Sequence, residues 1–151
     1  MHEVIHREFL KQLLGTAALP GIGFNTTTLG TLTASRDVLL STSQLLEDTG
    51  VSAYNGAAKY LASAANLLLA GKIVSVEARH AAAIRDIRDG TNGRKFAGDD
   101  VVNAQGLDVK AEPSDVLASV DNLDVLTSPV SISSQPDESK ITANFPAPTP
   151  T

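Results

Sequence analysis

The 151-residue chain contains no cysteine and no tryptophan, and only 4% of it is aromatic. Without thiols there is no disulfide and no thiolate metal site. Any metal held by protein groups is therefore bound by carboxylates and imidazoles, a donor set suited to hard or borderline ions such as iron or manganese. The compartment stays open, because exported and cytosolic proteins both do without cysteine. Long apolar runs are missing too. The strongest, Ala62 to Ala70, is broken by Ser63 and Asn66 and falls short of the ~20 residues a membrane-spanning helix needs. Positive charge is scarce, with 12 Lys and Arg against 17 Asp and Glu, and nothing forms a basic face for nucleic acid. His2 and Glu3 follow Met1 where a signal peptide would carry a basic region and an apolar stretch. Met1 opens directly into an amphipathic pattern with no capping residue, so an upstream segment is expected.

What remains is a chain that is 42% apolar, a composition suited to one helical domain rather than a sheet sandwich. The charge is uneven: residues 1–98 hold 10 basic and 8 acidic side chains, residues 99–151 hold 2 and 9. This split marks the second part as a different kind of segment. In the first part, Glu3, His6, Leu10, Leu13 and Ala17 recur at steps of three and four, predicting a helix over 2–18. Pro20, Gly21 and Gly23 end it, and Asn25 to Thr33 reads as a loop. A second helix is expected from Thr33 to Ser35 through about Tyr60, since Leu40, Glu47, Tyr54 and Leu61 recur every seven residues, with Gly50 and Gly56 as weak points or close contacts. After a turn at 61–64, a third runs from about Ala65 to Arg88, with Ala70, Ile73, Glu77, His80, Ile84 and Ile87 on one face and Lys72, Arg79, Arg85 and Asp86 outside. Asp89-Gly90 and Asn92-Gly93 stop it.

Beyond Gly98 the segment is acidic, through Asp99, Asp100, Asp108, Glu112, Asp115, Asp121 and Asp124. One short helix from Pro113 or Ser114 to about Val120 presents Val116, Leu117 and Val120 to the bundle. The acidic residues lack the spacing of a twelve-residue calcium loop and are expected on a solvated surface. From Ser128 onward five prolines with Ser and Thr read as a disordered tail. The expected organisation is a helical bundle over 1–90, an acidic segment with one packed helix over 91–127, and the tail over 128–151.

Three helices thus carry ionisable groups where the period demands a core residue: Glu3 and His6, then Glu47, then Glu77 and His80. A buried unpaired carboxylate costs several kcal/mol, about 3–5 by the loss of a buried partner, so such groups need partners and a metal ion is a shared one. The i, i+3 spacing sets each glutamate beside its histidine on one helical face. Tyr54, one heptad after Glu47, reads as a hydrogen-bond donor near the ligands, a redox-active phenol or a packing ring. His2 and Glu8 are expected in solvent.

The stretch Leu46-Glu47-Asp48-Thr49-Gly50-Val51-Ser52-Ala53-Tyr54-Asn55-Gly56-Ala57, followed by Val76-Glu77-Ala78-Arg79-His80-Ala81-Ala82, resembles the ferritin-like domain proteins that include desiccation-related and exported bacterial members. Their pattern is a glutamate, then Gly-Val-x-Ala-Tyr-x-Gly, then Glu-Ala-x-His-Ala on the last bundle helix. Glu3 to His6, continued by Arg7-Glu8-Phe9-Leu10, resembles the family's second helix. The resemblance covers residues 2–88 and implies an all-α, ferritin-like helical bundle with a di-iron or di-manganese site. In such bundles two helices each give a glutamate and two others each give Glu-x-x-His. Position by position, Glu3 and His6 match the first pair, Glu77 and His80 the second, and Glu47 the single glutamate of the third bundle helix. The family's first helix has no counterpart, which leaves three long helices of an expected four and one side open.

Three functions follow as expectations. The first is a metal-binding protein with an oxidase-like activity toward dioxygen, peroxide or ferrous iron. The second is a non-catalytic structural module, stress or desiccation related, that has lost metal chemistry. The third is an adaptor whose open groove takes a partner helix. The expected partners are metal ions, and either a second copy or the missing N-terminal helix. Export is expected from the resemblance alone. Nothing reads as a nucleophilic hydrolase or a phosphate-binding loop.

Overall fold

The computed structural model describes residues 1–19, 21–89, 95–128 and 130, and these contain five α-helices and no strand beyond two isolated bridges. Helix α1 spans His2–Leu14, α2 Thr26–Leu32, α3 Arg36–Ala57, α4 Ala64–Asp89 and α5 Pro113–Asn122. The expected all-α architecture with three long helices is thus present. No helix among the described residues is long and apolar enough to cross a membrane. Gly90, Asn92 and Gly93, read as stop signals, lie outside the described residues, as do Pro20 and nearly all of the expected tail.

Local chemistry explains the ends of the long helices. The Ser35 side chain accepts a hydrogen bond from the Val38 N–H at 3.2 Å, and Asp37 sits in the first turn of α3 where the helix dipole favours an anion. The helix then runs unbroken through Gly50 and tightens into one 3-10 turn at Ala58–Tyr60. Helix α4 starts behind Ser63, whose hydroxyl accepts from the Asn66 N–H at 3.4 Å.

Two expectations are corrected. The first helix stops at Leu14 rather than reaching residue 18, because Gly15 takes a φ of 55° and the next three residues wind as a 3-10 turn. The stretch Asn25 to Thr33 is not a loop, since Thr26–Leu32 forms α2. Threonine is a weak helix former, but Asn25 caps the Thr28 N–H at 3.2 Å. Asn25 Nδ2 and Thr28 Oγ1 also donate to Asp124 at 2.9 and 3.1 Å, so tertiary bonds outweigh propensity.

Helices α3 and α4 form a hairpin that holds the core. Its buried apolar residues are Val51 on α3 with Ile73 and Ala81 on α4. The buried positions of α4 are Ile73, Glu77, Ala81 and Arg85, a step of four in which every second residue is ionisable. Arg85 was expected on the outer face and is instead 6% exposed. Its Nη2 lies 2.7 Å from Asp48 and 3.5 Å from Asp100, so carboxylates from α3 and from the acidic segment draw it inward. Helix α1 contributes no buried residue, and Val4, Ile5, Phe9, Leu13 and Leu14 are exposed along it.

The backbone of the acidic segment straps this hairpin, while Asp99, Asp100, Asp108, Asp115, Asp121 and Asp124 stay exposed, as expected. Gly98 packs against the Arg85 guanidinium, the Ala111 N–H donates to the Ser52 carbonyl at 2.9 Å, and Glu112 accepts from Lys59 and Tyr60 at 2.9 and 3.0 Å. Helix α5 then packs on α3 with Val116, Leu117 and Val120 half-buried, as expected, while Asp115 and Ser119 face solvent. Beyond it, the Asn25 N–H donates to the Val125 carbonyl at 2.9 Å and closes the strap onto the start of α2.

The strap lies against α3 at Gly56, where any Cβ would overlap the Ala111 carbonyl oxygen. Gly56→Ala should therefore destabilise the protein by about 1–3 kcal/mol. Gly71→Ala, in open space on α4, should be neutral or stabilising by up to ~1 kcal/mol. Thermal unfolding of the two variants checks the pair, and equal midpoints would refute the close packing of the strap.

Candidate metal centre

Residues from three helices meet beside the buried end of Glu77. Glu77 lies on the α4 seam and is 6% exposed. One helical turn on, His80 directs Nδ1 at three carboxylates: Glu3 at 3.1 Å, Glu47 at 3.4 Å and Glu77 at 3.5 Å. One ligand atom each from Glu3, Glu47, Glu77 and His80 all fall within 4.8 Å of one another. His6 joins from α1, with Nδ1 3.0 Å from Glu77 and 3.7 Å from Glu3. The five residues singled out by periodicity are thereby brought to one place, four as a tight group and His6 against its edge.

The helical register explains the convergence. Glu3 and His6 are one turn apart on α1, and Glu77 and His80 one turn apart on α4, so each pair points from its helix in one direction. Glu47 faces them from α3, and Gly50, one turn later, removes the side chain that would otherwise border the Glu77 methylenes; a Cβ there would stand 4.0 Å from Glu77 Cγ.

Three carboxylates in so small a volume cannot all be charged and comfortable. Burial pushes the Glu47 carboxyl up to about 8, helped by its hydrogen bond to Glu77 and by the charges of Glu77, Glu3 and Asp48. Tyr54 feels the same field: burial first, then the charges of Glu77 and Glu3, raise its phenol above the usual value.

The donor set leaves specific valences unfilled. Glu77 Oε2 and His6 Nδ1 are buried without a hydrogen bond; the 3.0 Å approach of His6 Nδ1 is to the other oxygen of Glu77, Oε1, and His80 Nδ1 comes no nearer than 3.5 Å to Oε2. Buried polar atoms without partners are rare, and here two of them border a group of carboxylates and imidazoles. An oxygen- and imidazole-binding cation fits those positions on chemistry. A cleft of about 370 Å³, bordered by His2, Glu3, Glu47, His80 and Ile84, opens from the cluster to solvent. A larger opening of about 490 Å³ lies away from it, by Gln44, Arg88 and Asp99, and gathers mixed charges without converging ligands.

His2 is exposed, as expected, but it also makes a contact that sequence reasoning did not find: its Nδ1 lies 3.0 Å from His80 Nε2 with the two ring planes 8° apart. The available signal was its position four residues before His6 on the flank of the ligand face, which is weak without knowledge of how α1 docks. Glu8 behaves as expected and pairs on the surface with Arg7 and Lys11.

A family described as ferritin-like domain matches residues 1–89. No curated protein and no solved structure matches the chain.

The raised Glu47 carboxyl has a defined pH signature. Between the ordinary value of 4.5 and about 8 the folded protein holds a proton that the unfolded chain has released, so stability falls as pH rises through that window. The metal-free protein should unfold at lower urea at pH 8 than at pH 5, and Glu47→Gln, which stays neutral in both states, should flatten that fall. Parallel pH profiles for the two proteins would remove Glu47 as its source.

Proposed function

Because the chain belongs to the ferritin-like domain family, we propose that it is a metal-binding bundle protein in which Glu3, His6, Glu47, Glu77 and His80 hold two ions of iron or manganese. The observation that carries this reading is the set of four ligand atoms within 4.8 Å around the buried Glu77. When bound, such ions supply one-electron chemistry toward dioxygen, peroxide or ferrous iron. The chain's own contribution is binding and placement. Glu77, nearly shut off from water, would be the buried carboxylate ligand; Glu3 and Glu47 would join it from two other helices, and His80 and His6 would add imidazole nitrogens. Loading displaces the proton held by Glu47, so affinity rises with pH as that proton becomes easier to remove. In this reading residues 1–90 are the binding unit, 91–127 the strap, and 128–151 an appended tail.

Elemental analysis after chelation and reconstitution with ferrous iron or manganese tests the assignment. The wild-type chain should retain metal, and Glu77→Ala and His80→Ala should each lose most of it. Retention by both variants equal to wild type would discard the metal reading in favour of the structural one.

A second reading, a structural or interaction bundle, is favoured by one observation, the exposure of apolar side chains beside the cluster. Val4, Ile5, Phe9 and Leu13 on α1, Leu39 and Leu46 on α3 and Ile87 on α4 are all more than a third exposed. At about 25 cal/mol per Å² of buried apolar surface, covering such a groove is strongly favoured. The protein should self-associate at micromolar concentration in light scattering and bind a hydrophobic dye. A monomer that leaves the dye unbound would show that the groove is not a free apolar surface.

A further inference from the structure

The His2–His80 contact has a geometry that stacking does not explain. The ring centroids are 5.2 Å apart with planes only 8° from parallel, while His2 Nδ1 and His80 Nε2 are 3.0 Å apart. The centroid separation exceeds the nitrogen distance by about the radii of the two rings. The imidazoles therefore meet edge to edge, nearly in one plane, which is the arrangement of an in-line hydrogen bond. It joins the first turn of α1 to α4 across 78 residues of sequence.

The two nitrogens of His80 face different surroundings. Nδ1 looks into Glu3, Glu47 and Glu77, and Nε2 looks out toward His2. A neutral imidazole carries one proton, and the nitrogen that keeps it cannot be a ligand. Where that proton sits decides whether the lone pair of His80 points into the carboxylate cluster or away from it.

We propose that His2 is a positioning residue for the metal centre: it accepts the Nε2 proton of His80, and so holds His80 in the tautomer and ring orientation that turn the bare Nδ1 toward the carboxylates. The role rests on the metal-binding reading above and adds to it a residue outside the ligand set. Ligating histidines generally bond through their second nitrogen to a carboxylate, a backbone carbonyl or water, and that partner sets the tautomer. Here an imidazole takes the place. With its Nδ1 accepting, His2 keeps its own proton on Nε2. Because His2 belongs to α1, whose apolar residues are not buried, the same bond fixes where Glu3 and His6 sit relative to His80. His2 itself is exposed, so its replacement leaves the α3–α4 core intact.

Calorimetric titration of the full chain with zinc, a diamagnetic ion of similar ligand preference, separates the possibilities when it is joined to long-range proton–nitrogen spectra of the histidine side chains. His2→Ala should bind zinc about 10- to 100-fold more weakly than wild type. His2→Asn, whose side-chain oxygen takes the position of Nδ1, should recover most of that loss. In zinc-loaded wild type, His80 should carry its proton on Nε2, with that proton slow to exchange, and His2→Ala should make it exchange fast. Equal affinity of wild type and His2→Ala, or a His80 proton on Nδ1 in the loaded protein, overturns the positioning role and leaves the metal-binding reading standing. Equal weakening by His2→Ala and His2→Asn, with unchanged His80 spectra, reduces His2 to a packing residue and overturns it as well. Failure of wild type to bind zinc overturns both readings together.

Discussion

Glu77 is buried at the seam of the α3–α4 hairpin, and its carboxylate has to find partners there. Of the four buried positions of α4, two are apolar and two are ionisable. A charge in such a place is tolerated only with partners, and each of the two recruits its own. Arg85 takes Asp48 and Asp100. Glu77 takes His6 and His80 and crowds Glu3 and Glu47, of which the latter keeps its proton well above the usual carboxylate range. The seam therefore has one end where two carboxylates meet a guanidinium, at Arg85, and another where carboxylates crowd together beside imidazoles, at Glu77, with Ala81 between them.

This division explains why the chain holds together as it does. At the Arg85 end the guanidinium Nη2 is paired with Asp48 while Nε stays without a hydrogen bond, and the acidic segment closes over it through Asp100 and Gly98. The Glu77 end is finished by α1, which brings almost nothing but polar contacts: Glu3, His6 and His2, each set against α4. Helix α1 is thus placed by the same groups that would bind an ion. The strength of its docking and the state of the centre are one property rather than two.

The periodicity of the sequence was enough to bring Glu3, His6, Glu47, Glu77 and His80 to one place, because an i, i+3 pair on a helix has little freedom in where it points. It was also enough for the three long helices and for α5, whose Val116, Leu117 and Val120 lie on one side. It was not enough for Arg85, where charge was read as exposure even though Arg85 continues the step of four through Ile73, Glu77 and Ala81. The partners that draw it in are Asp48 on α3, thirty-seven residues before it, and Asp100, fifteen residues after it in a segment with no helical period. Helix α2 was hidden for a related reason. Its threonines argue against a helix, and the bonds that hold it come from Asp124, nearly a hundred residues on. The His2–His80 contact was missed because placing it requires knowing how α1 lies on α4.

The contact between Gly56 and Ala111 bears on where this domain ends as a physical object. The family correspondence stops at residue 89, but the Ser52 carbonyl, the flat face at Gly56, the ammonium of Lys59 and the guanidinium of Arg85 are all met by atoms from residues 98–112. A recombinant fragment cut at the family boundary would leave those surfaces bare. The packed unit is therefore longer than the stretch that carries the family correspondence, and it takes in residues 98–112 of the acidic extension.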